Sequence, residues 1–127
     1  MPSTRIETAA GWITDHAAII AAVQRALVEG IRIPEADRDI RIAEYPPHAF
    51  APADGRGAHY MVIEISLFSG RSLDAKRRLY TALTRELARF DLAPSDLKVI
   101  LHEVPRENWG LRGQAATDIE LGFTIEV

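Results

Sequence analysis

Four short stretches of this chain hold residues whose types could do chemistry. The first is MPSTRIET, with a proline in second position. Processing that removes an initiator Met ahead of a small residue would leave Pro2 as a free secondary amine, a base. The alternative is a proline that merely starts a strand, where no ladder hydrogen bond is lost. The second is SGRSLDAK, with Arg71 just ahead of a helix cap at Ser72. Unpaired backbone N–H groups and partial positive charge at the helix N-terminus join a bidentate guanidinium there, which suits a carboxylate. A pairing with a surface acid is the plainer use of the same residue. The third is PEADRD, which sets Asp37 and Asp39 at the start of a strand. Such side chains either reach a cleft at the sheet's end or only satisfy their own turn. The fourth is VPRENWGLRG, where Trp109 sits in a Gly-rich loop. An indole there must pack on something, as the apolar wall of a cleft or as an anchor of the loop to the core. Trp12, just before a helix, reads as an anchor.

Other chemistries lack their residues. There is no cysteine, which excludes disulfides and thiolate catalysis or ligation. The four histidines, His16, His48, His59 and His102, fall in different segments without ligand spacing, so no metal site is expected. No phosphate-cradling glycine motif and no GxSxG elbow occurs. The net charge of -3 gives no general attraction to nucleic acid or anionic lipid. No signal-peptide pattern or membrane-length apolar run is present, so the expectation is a cytoplasmic protein. At 127 residues the chain is of single-domain size.

The elements that must position these residues come from a repeat. IPEADRDIRIAEYPP, from Ile33, resembles LAPSDLKVILHEVPR, from Leu92. Ahead of each lies a helical segment: TDHAAIIAAVQRALVEGI from Thr14, with Ile20, Val23 and Leu27 at helical spacing, and SLDAKRRLYTALTRELARF from Ser72, with Leu79, Leu83, Leu87 and Phe90. Thr14 and Ser72 are the expected caps, followed by Asp15 and Asp74. Pro34 and Pro94 follow the helix ends. Ahead of each helix lies a strand, STRIET and HYMVIEISLF. Period-two patterns mark Ile40 with Ile42, then Met61, Ile63, Ile65 and Leu67, then Leu97, Val99 and Leu101.

The unit is therefore β-α-β, twice, over about residues 2–47 and 59–105, within one domain 1–127. Each unit predicts a parallel pair with a right-handed crossover. Together they predict an α+β fold: a four-stranded sheet with two helices on one face. PPHAFAPADGRGA reads as an excursion between units, and TDIELGFTIEV as one or two short terminal strands. MVIEI and LKVIL look too apolar to face water. The uncovered sheet face therefore predicts self-association, the alternative being a monomer whose tail and long link fold over the sheet.

A proline directly after Met, two tandem βαβ units, an Arg at the head of the second helix and an ENWG loop resemble the tautomerase superfamily. This is the group of 4-oxalocrotonate tautomerase and macrophage migration inhibitory factor. PEADR and SLDAKRRLY are most similar to its malonate semialdehyde decarboxylase branch. The resemblance implies Pro2 as general base or acid, Asp37 as the branch's aspartate, and Arg71 as the second of its two arginines. The first of those arginines aligns with Ser69, so one carboxylate anchor is absent. Trp109 matches the family's wall residue, with Leu111 beside it. The implied protein is a homotrimeric, cofactor-independent keto–enol isomerase of small 2-oxo or enol carboxylic acids. Hydration or decarboxylation of a three-carbon acid such as malonate semialdehyde, and a non-catalytic binding or signalling oligomer, are the alternatives.

Overall fold

A computed structural model describes residues 2–120 of the chain. Two β-α-β units follow one another: β1 (Ser3–Ala9), α1 (His16–Ile31) and β2 (Ile40–Tyr45), then β3 (Met61–Phe68), α2 (Leu73–Leu87) and β4 (Leu97–Val104). A hairpin of β5 (Gly110–Leu111) and β6 (Gln114–Ala115) comes after β4.

Local chemistry explains the helix limits. The cap of α1 is Asp15, one residue later than expected: its carboxylate accepts the Ala18 N–H at 3.0 Å. Ser72 caps α2 by accepting the Ala75 N–H at 3.1 Å, with Asp74 in the first turn. Each such cap is worth about 1 kcal/mol. The chain leaves α1 through Arg32 in the left-handed region (φ 59°) and leaves the turn after α2 through Asp91 (φ 60°).

Strand order is β2-β1-β3-β4. Pairing is parallel within each unit and antiparallel between β1 and β3, where Ile6 faces Ile63. The N-terminal ends of β1 and β2 therefore lie at the same edge of the sheet as the C-terminal ends of β3 and β4. Both helices cover one face. Ile6, Met61, Ile63, Ile65 and Leu67 are buried there against Ile19, Val23, Leu27, Ile31, Leu79, Leu83 and Leu87. Ile19, not Ile20, joins this cluster; one residue on a helix turns a side chain by about 100°, enough to trade places. The helices pack closely at Gly30, where a Cβ would stand 2.5 Å from the Leu79 Cα.

The opposite face is less apolar than the strand sequences suggest. Strand alternation sends Met61, Ile63 and Ile65 to the helices and Val62, Glu64 and Ser66 to the other side. Arg5, Glu7, Arg41, Lys98 and His102 share that side by the same alternation. It is a charged surface interrupted by apolar residues such as Ile100, which is 38% exposed.

The connection between the units is tied down. Arg56 donates to the Ser95 carbonyl at 2.7 Å, and the Gly57 N–H donates to the buried Asp96 at 2.8 Å. The terminal-strand expectation over 117–127 lies mostly outside the described residues, and Ala116–Asp118 forms a 3-10 turn. The β5–β6 hairpin was not anticipated. Its two turn residues, Arg112 (φ 54°) and Gly113 (φ 77°), both have the positive φ that a type I′ turn requires.

Candidate active site at the proline end of the sheet

The topology gathers most of the chemistry-bearing residues at one edge. Pro2 is buried immediately before β1. The Thr4 N–H donates to the Asp39 carbonyl at 3.0 Å, which fastens the loop carrying Asp37 beside the start of β1. Ser3 opposes Ser66 near the end of β3, so the 69–72 loop with Arg71 leaves from the same edge. Phe68 opposes Val104, which brings the 105–113 loop there as well.

Arg71 is 6% exposed. One Nη donates to the Ile31 carbonyl at 3.3 Å, its Nε is buried without a partner, and no carboxylate pairs with it among the described residues. Burial alone lowers its pKa from the ordinary arginine value. The surface ion pair weighed from sequence is therefore not what forms. The reason lies in α1, whose last turn has no basic residue of its own. Its free carbonyls are met from the second unit, Gly30 by the Arg78 Nε at 3.3 Å and Ile31 by Arg71. That task uses one corner of the Arg71 guanidinium and leaves donors over.

Asp37 is half-buried in a turn closed by its own N–H to the Pro34 carbonyl at 3.0 Å. The side-chain amide of Gln24 donates to the carbonyls of Glu35, at 3.2 Å, and Asp37, at 3.0 Å. Gln24 was not picked out from the sequence. Its signal was available: a glutamine next to Val23 on the buried stripe of α1, where a polar side chain requires partners. Asp39 has a different fate, exposed and paired with Arg41 at 2.8 Å.

Three buried polar atoms lack partners at this end or beside it: Thr4 Oγ1, Gln24 Oε1 and Arg71 Nε. Thr4 is two residues from Pro2, Gln24 holds the Asp37 loop, and Arg71 caps the helix that precedes that loop. Unsatisfied buried groups cost about 1–3 kcal/mol each, so such a cluster is unusual unless something else is meant to meet it.

Trp109 stands apart from these residues. Its indole N–H donates to the Val104 carbonyl at 3.0 Å, and its ring meets Phe68 edge-on at 5.0 Å. Alternation along β3 directs Phe68 away from the helices, so Trp109 lies over the helix-free face, across the sheet from the helix side where Arg71 is buried. Within one chain it acts as an anchor for its loop. Leu111, in β5, is half-buried nearby. Trp12 is an anchor too: its N–H donates to Thr8 Oγ1 at 2.9 Å and its ring stacks on His59 at 4.1 Å. Among the described residues no cluster of three or more His, Asp or Glu could hold a metal ion, and no helix is long and apolar enough to cross a membrane.

An α+β fold of two βαβ units in a four-stranded mixed sheet is the architecture of a tautomerase. The profile of the family described as "Tautomerase enzyme" matches residues 15–112, and the chain belongs to that family. It is 37% identical over 57 residues to 2-hydroxymuconate tautomerase of Comamonas testosteroni, a match covering 44% of this chain and 90% of that protein. Among solved structures, FG41 malonate semialdehyde decarboxylase inhibited by 3-bromopropiolate is 28% identical with a TM-score of 0.77, over 91% of this chain and 92% of that one. A symmetric trimer of fused 4-OT shares the fold at 24% identity and a TM-score of 0.79, over 90% and 95% of the two chains.

Proposed function

We propose that this tautomerase-family chain is a single-domain, cofactor-independent keto–enol isomerase of small 2-oxo or enol carboxylic acids, with Pro2 as general base and acid. The observation that carries the reading is the buried Arg71, unpaired with any acid among the described residues, at the sheet edge where β1 begins after Pro2. In the unprotonated state the Pro2 amine takes the enol O–H proton, and the resulting ammonium returns a proton to carbon. A base of this kind works best with a pKa near the operating pH. A secondary amine is ordinarily too basic, but burial and a nearby guanidinium both disfavour its ammonium form. Arg71 holds the substrate carboxylate and stabilises charge developing on the enolate oxygen. Trp109 and Leu111 form an apolar wall only if a neighbouring copy presents them. A homotrimer, the assembly reported for fused 4-OT, supports that arrangement.

A second reading has an observation of its own. Asp37 is held at the same edge by Gln24, and malonate semialdehyde decarboxylase is among the structural relatives. An aspartate fixed there can orient water for hydration or decarboxylation of a three-carbon acid. With Ser69 in place of a second arginine, the tautomerase reading fits the single carboxylate anchor better.

The test is kinetic. In protein whose intact mass shows Met1 removed, Pro2→Ala lowers the rate of enol ketonisation at least about tenfold, the scale for losing a general base. Equal rates, or full activity in protein that keeps Met1 and so has only an amide nitrogen at Pro2, overturn the assignment.

A further inference from the structure

A second concentration of guanidinium groups lies on the outer surface of the helix layer. A groove of about 560 Å³ between α1 and α2 is edged by Arg32, Arg77, Arg78 and Arg85, with Glu29 and Asp74 as its acids. Arg77 pairs with Asp74 at 2.9 Å, and Arg85 pairs with Glu29. Arg78 spends only its Nε, on the Gly30 carbonyl. The Arg32 side chain has no partner among the described residues. Four cations less two acids leave two positive charges facing the groove uncompensated.

Arg32 occupies the left-handed region (φ 59°, ψ 39°) at the end of α1. Glycine is the usual residue there, and any other L-residue costs about 1 kcal/mol or more. Arg32 at that position lines the groove. The close crossing at Gly30 brings α2 against the same helix end, so Arg78 reaches the groove from the other side.

We infer that this groove binds a small molecule through a phosphate dianion, gripped by Arg32 and Arg78. A phosphate monoester carries nearly two charges at neutral pH and offers three acceptor oxygens. Two guanidinium forks can engage these together. A single carboxylate would neutralise half the excess charge. The volume exceeds that of a phosphate group and leaves room for the organic part. The groove shares no lining residue with the proline end.

The probe is methyl phosphate at about pH 8, well above a second phosphate pKa of roughly 6, titrated into ¹⁵N-labelled full-length protein. Acetate at matched ionic strength is the control. Methyl phosphate should give saturable amide shifts at residues 30–33 and 74–82, and acetate should not. Arg32→Gly suits the left-handed backbone, so it should keep the thermal midpoint while weakening binding at least about tenfold. The proposal is overturned by no saturable shifts at these amides, by an equal response to acetate, by shifts confined to residues 70–72, or by undiminished binding in Arg32→Gly.

Discussion

The two edges of the sheet are built from the same repeat and finished in opposite ways. At the far edge, where β3 begins, Trp12 stacks on His59 and the His59 Nδ1 is hydrogen-bonded to the Phe90 carbonyl at 3.0 Å. The Thr8 hydroxyl donates to the Tyr60 carbonyl at 2.6 Å, and Asp96 accepts from Gly57. Each of these polar groups has its partner, so this edge is closed into structure. At the near edge β1 begins with Pro2, and Thr4, Gln24 and Arg71 each keep a buried polar atom unmet. Thr4 and Thr8 make the contrast within one strand: both are fully buried on the helix side, yet only Thr8 is satisfied. The repeat alone therefore does not make a site. A site is left where folding declines to saturate the polar groups it has buried.

Substitutions at the near edge should therefore affect catalysis as well as stability. Arg71→Ala should raise KM for enol acids about tenfold or more, because a charge-assisted contact to the carboxylate is lost. It should also cost about 1–3 kcal/mol of stability, since the Ile31 carbonyl loses its donor. A variant with normal KM and only the stability loss would reduce Arg71 to a helix cap. Steady-state kinetics and chemical denaturation on the same preparation separate the two effects.

The far edge should respond the other way. Asp96→Ala removes a buried carboxylate and the acceptor of the exposed Gly57 N–H and should cost about 1 kcal/mol by urea denaturation, with kcat/KM for enol acids within about twofold of the parent. A large kinetic loss there would show that both edges serve the reaction.

The smallest effect comes from the open sheet face that joins the two edges. Glu64 is hydrogen-bonded to His102 at 2.9 Å, and this contact, ahead of other causes, holds its pKa below the usual glutamate value. A depressed carboxylate contributes stability that is present above its unfolded pKa and lost as pH falls through the folded one. The pair is partly exposed and therefore screened. A thermal melt series descending through about pH 4 should show a slight decline that Glu64→Gln removes. An unchanged decline in that variant would mean that other carboxylates set the acid limit.

Much of this molecule was legible as pattern. The two repeats, the period-two strands and the cap at Ser72 depend on neighbours within a few residues, and local spacing records them. Choices of one residue, Asp15 over Thr14 or Ile19 over Ile20, turn on small rotations that composition does not encode. The contacts that define the candidate site are of another kind. Arg71 reaches Ile31 across 40 positions, and Gln24 reaches Asp37 across 13. Such partners follow from how the second unit docks on the first. Trp109 shows the same limit: its loop lies at the expected edge, but only the strand's alternation at Phe68 tells which face it covers.

In the proposed mechanism Pro2 is an amine whose basicity is reduced by burial and by a neighbouring uncompensated guanidinium. Titration of ¹⁵N-proline-labelled protein, with Met1 removal verified by intact mass, measures this at the atom concerned. The Pro2 nitrogen should titrate well below its value in the denatured chain and move back toward that value in Arg71→Gln. A Pro2 that titrates alike in the folded protein, the variant and the denatured chain would contradict the account.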